Sequence, residues 1–407
     1  MSHLKPTRRE FCRNVLGLGS ALGLSMDTAM ADEPSTNALS PLAGVTLRYP
    51  EKTFYLAQVF KDTTNSYKLV WFLALLSLLK RSSESSFKVA DVLAEMAVIS
   101  WHPVCLYRLS LGRQDKLQDT IVQLREQSGL QPNADPEAIR KFVMGSADAM
   151  KRLDYFKRYV PTRFLAPWFA EQLRGQDDSK RDRQIEELAR QSQATPLASP
   201  YWFDRASIRL NASWRAFLVE NIGLVQSFAE YNLALYLQAR NPNVPGVVNK
   251  LRAPTKRQLT AAQQFWRLVR TELEKANRGD RFQDIYSQRK LGESFTVDHF
   301  LPWSFVVHDL LWNLTPVEPA TNSSKNDVLP DLNLYLPRLS KLHFNAIDIA
   351  RKRPALLEDY VDCFKLDPNE MLALGEDGFT TKYRELILPQ AQIAANQGFK
   401  AGWKFRN

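Results

Sequence analysis

Phe295-Thr296-Val297-Asp298-His299-Phe300-Leu301-Pro302 decides how this chain is read, together with Leu311-Trp312-Asn313-Leu314 and Ala320-Thr321-Asn322-Ser323-Ser324-Lys325-Asn326-Asp327. The three segments set a histidine beside a carboxylate and add two amides and a lysine, all among β-type residues and turn formers. Cutting a phosphodiester by in-line attack of water needs a base for the water, a divalent cation for the developing charge, and positive groups for the flanking phosphates. A candidate for each part is present. His299 is the natural base, because an imidazole with an ordinary pKa of about 6.5 is largely neutral at physiological pH. Asn322 offers an amide oxygen, a hard ligand suited to Mg2+ alongside a carboxylate and waters. Asp298 supplies that carboxylate, although neighbours on a regular strand point to opposite faces. Both reach one site only if the strand ends or twists here, as Leu301-Pro302 suggests. Taken singly, each residue has a plainer job: a structural histidine, a turn cap, an amide bonded to its own backbone, a surface lysine.

Outward from this stretch, Phe282 to Ser287, Gln288 to Gly292 and Ser294 to Phe300 read as strand, turn, strand, the one hairpin expected in the chain. Beyond it, helical pattern returns from about Leu339 to Leu366 and from Thr381 to Leu386. Upstream almost everything is helical. The run from Tyr67, which Thr63, Thr64, Asn65 and Ser66 could cap, carries the densest apolar surface and is expected at the centre of a core. Thr53 to Phe60 reads as a short β-like or irregular segment, and Pro103 as a break in the pattern from Val89 to Leu109. Further helices are expected over Lys116 to Gln127, Pro136 to Tyr159, Ala212 to Arg240 and Lys256 to Ala276, with Arg174 to Arg190 an exposed helix or connector. The aromatic stripe Trp214, Phe217, Phe228 and Tyr231 recurs at helical spacing, which marks core more often than base-stacking platforms.

Asp298-His299, Asn313 fourteen positions after the histidine, Asn322 nine further on and Lys325 three beyond that resemble the HNH motif of the ββα-metal endonucleases. The variant is the one with asparagine in third place, as in the HNH domain of RNA-guided CRISPR effector nucleases. The resemblance implies His299 as general base, Asp298 and Asn322 as ligands of one Mg2+ or Mn2+, and Asn313 orienting His299 and bracing the loop. Lys325 becomes a phosphate contact, and the hairpin with the helix near Asn322 becomes the ββα element. Many relatives add a zinc knuckle of cysteine pairs; Ile285-Tyr286-Ser287 stands there instead, so no zinc is expected. DNA is the implied partner, with a homodimer needed if both strands are cut.

The fold class is therefore mainly α: a helical region at 49–280 of unassigned function, a small ββα-metal domain at 281–345, and a helical tail at 346–407. A net charge of +10 over 407 residues agrees with a polyanionic partner, though a solvated basic surface gives the same number. Residues 1–31 carry Arg8-Arg9, a short apolar run and Ala29-Met30-Ala31, which resembles a twin-arginine export signal and favours a periplasmic or secreted protein over a cytoplasmic one. Its removal takes away four basic and two acidic side chains and leaves +8. A gene start placed too far upstream gives the same residues. Residues 32–48 read as linker. The longest largely apolar run, Leu69 to Leu79, has 11 residues where about 20 are needed to cross a bilayer, so no integral membrane segment is expected in the mature chain. Cys12, Cys105 and Cys363 form no Cys-x-x-Cys, and a Cys105–Cys363 disulfide is left open. Two functions follow: a metal-dependent endonuclease, or a nucleic-acid-binding or assembly protein that keeps the fold without cutting.

Overall fold

Tyr67–Arg81 holds no glycine or proline and is apolar on most sides, so it forms a helix (α1) buried along most of its length. Its expected cap is not used. Ser66 makes no side-chain cap bond, and the Asp115 carboxylate accepts from the Ser66 amide at 2.8 Å. Against α1 packs α2 (Val89–Trp101), which runs on through a π turn at His102–Leu106. Pro103 therefore does not break the helix, because the wider turn accommodates the missing N–H, with the Tyr107 amide bonding the His102 carbonyl at 3.0 Å. Val89–Leu106 is consequently long and apolar enough to cross a bilayer by length and composition, yet 78% of it is buried inside the protein, as in a core helix. The computed structural model describes residues 48–61, 63–204, 206–254, 257 and 259–406, so the expected signal, nearly all of the linker, and Cys12 lie outside it.

Several local expectations are corrected. Pro50–Lys61 is helical where Thr53, Phe54 and Tyr55 argue for extended chain, because packing of Leu56, Val59 and Phe60 overrides their weak β preference. A second sheet exists: β1 (Ser86–Lys88), β2 (Tyr201–Asp204) and β3 (Ser207–Leu210) form an antiparallel ladder ordered β1-β3-β2. Strands of three or four residues are too short for alternation to stand out. Of the two readings of Arg174 to Arg190, the helix is the one found, at Asp178–Gln191. The helix expected from Ala212 to Arg240 is two, parted at Asn221 (φ −114°, ψ 21°), the second being α3 (Ile222–Arg240). Trp214 and Phe217 are buried, but Phe228, Tyr231 and Leu235 are exposed.

Residues 49–407 form one compact unit. In its C-terminal half, α4 (Thr260–Lys275) sends Phe265, Trp266, Val269 and Leu273 into a hydrophobic core that extends to Phe399. The expected hairpin is rearranged. β4 (Thr296–His299) pairs antiparallel with β5 (Leu314–Val317), Asp298 opposite Thr315 and His299 opposite Leu314. Residues 282–292 contribute only the bridge Gln283–Lys290. The cause is Asp284, whose carboxylate takes the Tyr286 and Ser287 amides at 2.8 and 3.3 Å and so turns the chain. Its other oxygen accepts from the Glu318 amide at 3.0 Å, stapling this turn to the end of β5.

Around the ladder lie α5 (Pro319–Lys325), α6 (Leu332–Ala350) and α7 (Gly375–Asn396); α6 begins before the expected Leu339 and ends well short of Leu366, while α7 extends past both expected bounds. The final residues return to the core: Trp403 exchanges backbone bonds with Leu329 and Asp331 and packs its ring on Tyr286 and Tyr335. His343 is fully buried against Trp266, Tyr360 and Tyr383. Cys105 and Cys363 are both free thiols.

Candidate active site

β4 and β5 are buried on both faces, so an unpaired charged group on them is costly, although the buried Thr315 hydroxyl on β5 has no hydrogen-bond partner. Asp298 and His299 take different partners. The Asp298 carboxylate accepts from the Tyr286 hydroxyl at 3.0 Å and forms an ion pair with the Lys325 ammonium at 3.1 Å. The His299 ring lies the other way, with Nε2 against the Asp309 carboxylate at 2.8 Å. Burial, with the Asp298 charge beside it, pushes the Tyr286 phenol up, so it remains a donor.

Helix α5 starts with Pro319 at its first turn, where a missing N–H costs nothing, and its three-residue spacing turns Asn322 and Lys325 toward β4. The Asn322 amide nitrogen donates to the Val297 carbonyl at 3.4 Å. Lys325 is fully buried and also donates to the His299 carbonyl at 2.6 Å. One ammonium thus ties the end of β4 to the carboxylate beside the candidate base, rather than standing in solvent. Asn313 braces the loop that leaves β4: its side chain accepts from the Leu301 amide at 2.8 Å and donates to the Leu301 carbonyl at 3.0 Å. It does not bond the His299 ring; Asp309 does. His308 is half-buried with its ring on Trp312, and burial with His299 nearby drives its pKa down to about 4, leaving it neutral. Trp312 is core beneath the loop.

Asp298 and Asn322 carry oxygen donors of the chemistry a hard cation takes. Asn322, tethered through its nitrogen, keeps its amide oxygen for another partner, and Asp298 is an acidic oxygen donor of the kind Mg2+ and Mn2+ prefer. Among the described residues no group of three His, Cys, Asp or Glu side chains is placed to hold a metal, so waters would complete the shell. Lys325 shares the Asp298 carboxylate, and a cation there would add to or displace that ion pair.

The five residues singled out in the sequence all lie on β4, on β5's leading turn or on α5. Missing from that reading are Asp309, Tyr286 and Asp284. Asp309 sits in a loop with no periodicity to mark it, ten residues from the histidine it bonds. Tyr286 and Asp284 sit in a segment whose composition suggests a strand. A family model described as HNH endonuclease matches residues 283–331, which are therefore an HNH endonuclease domain in the C-terminal part of the chain. Comparison with curated proteins and with solved structures finds no significant match.

Proposed function

We propose that this protein is a metal-dependent endonuclease that hydrolyses DNA phosphodiester bonds, with His299 as the base that activates water. The observation that carries the reading is the His299–Asp309 contact at 2.8 Å, on a loop that starts beside a buried carboxylate. A carboxylate accepting the Nε2 proton leaves Nδ1 as the basic nitrogen and steadies the imidazolium once it has taken a proton from water. Asp309 is a positioning residue in this scheme. Asp298 and Asn322 would hold the cation, which supplies charge neutralisation at the phosphate and at the departing oxygen. We assign Lys325 to holding Asp298 and the end of β4 rather than to the phosphate, because its ammonium is buried and already bonded to both. Asn313 keeps the loop from Leu301 closed, so that Asp309 returns to His299.

Plasmid nicking with Mg2+ tests the proposal. The native protein should convert supercoiled DNA to the nicked form, EDTA should stop it, and His299→Ala should remove it. Cutting by His299→Ala would sink the assigned base. No cutting by either protein, with DNA binding intact, would favour a non-catalytic binding role. A single such site cuts one strand, so linear product in a concentration-dependent second phase would indicate two molecules acting together.

A further inference from the structure

We infer that α3 and the loop leaving β4 wall a cleft for unpaired nucleotides, in which bases stack on Tyr231 and Trp303 and phosphates meet Arg252 and Arg257. The inference rests on the nuclease reading for its choice of polymer.

The first observation is the face of α3. Phe228, Tyr231 and Leu235 share one stripe of the helix, and with Val248 from the following 3-10 turn they are exposed by 38%, 63%, 52% and 68%. The other half of α3 is core, so the exposed stripe is not needed to hold the helix in place. The second observation is the space beside it. A cleft of about 610 Å3 is walled by Tyr107, Tyr231, Val248, Arg252, Trp303 and Val307, within the range of small-molecule sites.

Charge decides between occupants. The acidic side chain in the cleft, Glu230, is already neutralised by Arg252, whose Nε donates to it at 2.9 Å. Arg252 remains two-thirds exposed, and the Arg257 guanidinium lies 5.6 Å from the centre of the Trp303 ring. Rings on the walls with guanidinium groups at the rim suit bases and phosphates together. An apolar protein helix would cover the rings but also take the Arg257 guanidinium and the Arg252–Glu230 pair out of water.

The cleft is also continuous with the site. Trp303 and Val307 belong to the loop that leaves β4 at His299 and carries Asp309, two residues beyond Val307. The junction is built closely: Gly246 has φ +61°, and a Cβ there would come within 2.7 Å of the Val307 side chain. Lys250 is wholly buried and donates to the carbonyls of Pro245 and Phe305 at 2.6 and 2.5 Å. A nucleotide in the cleft would therefore press on the segment that positions the candidate base.

The test uses the full chain carrying His299→Ala to prevent cleavage, titrated with a fluorescein-labelled oligothymidine of about 15 nucleotides and with a duplex of the same length. Tyr231→Ala and Trp303→Ala should each weaken oligothymidine binding about 5- to 150-fold at fixed salt, with less effect on duplex. Tyr231→Phe, which keeps the ring, should bind like the parent. Unchanged oligothymidine affinity in Tyr231→Ala would overturn the cleft, as would equal loss for single and double strands. Self-association seen by light scattering and abolished by Tyr231→Ala, with oligothymidine binding intact, would overturn it in favour of an interface between copies. The nuclease reading fails separately: ring-dependent binding by a native protein that never nicks defeats it and leaves the cleft standing, while nicking with ring-independent binding does the reverse.

Discussion

The two small sheets of this protein are built alike and used differently. Both are antiparallel ladders of three- or four-residue strands. In β3, burial alternates, with Ile208 and Leu210 inward and Arg209 outward, and Arg209 meets Asp204 of β2 at 3.0 Å on the exposed face. β4 and β5 are covered on both faces, and there Asp298 meets Lys325 at nearly the same distance, 3.1 Å, with almost no solvent access. The same pair of charges is therefore weak in one sheet and expensive to disturb in the other. Charged groups in a doubly covered ladder are costly unless a network satisfies them, and the network around β4 is the one that holds the candidate base.

Replacing His299 with Ala should lower the nicking rate by about 10²- to 10⁴-fold, the largest effect, because it removes general base catalysis. A plasmid assay reads it, and a change under tenfold would move the chemistry away from β4. Lys325→Met should cost about 3–5 kcal/mol in denaturant unfolding, since it strands a buried carboxylate. Asp309→Ala should lower kcat by about 10- to 100-fold with little change in KM, as loss of a group that orients another does. A fall in KM-dependent binding alone would instead place Asp309 on the substrate.

The buried His343 gives a pH test of the C-terminal core. Burial lowers its pKa to about 3, whereas unfolded it titrates at about 6.5. The unfolded chain therefore binds more protons between those values, and stability should fall as pH drops from about 6.5 toward 3, by up to about 1.4 kcal/mol per unit. Above that window the group contributes no slope. His343→Phe should flatten this part of the curve; an unchanged slope would assign it to other groups. Least should come from the first sheet, where Arg209→Ala should change stability by less than about 1 kcal/mol, because its ion pair is half exposed. A loss matching that of Lys325→Met would break the contrast between the two sheets.

What was readable in advance follows from how far each signal reaches along the chain. α1 was legible because its apolar run is long and free of glycine and proline, and burial of such a helix follows from its composition alone. The ladder partner of β4 was not, because Phe282 to Ser287 has strand composition and only the Asp284 side chain turns it away. The aromatic stripe of α3 shows the limit of periodicity: spacing places Phe228 and Tyr231 with Trp214 and Phe217, but the break at Asn221 starts a new helix whose outer stripe is left uncovered.

By itself the sequence determined a mainly helical chain and a spaced set of Asp298, His299, Asn313, Asn322 and Lys325, since residue identity and spacing are local properties. Only the tertiary structure decided what those residues touch. It set Asp309 on the His299 ring, Lys325 and Tyr286 on Asp298, and Asn313 on the backbone of Leu301 rather than on the histidine. The reason is physical: a side chain's partner in a buried site is chosen by the packing of elements distant in sequence, and by the need to satisfy each polar group that the packing removes from water.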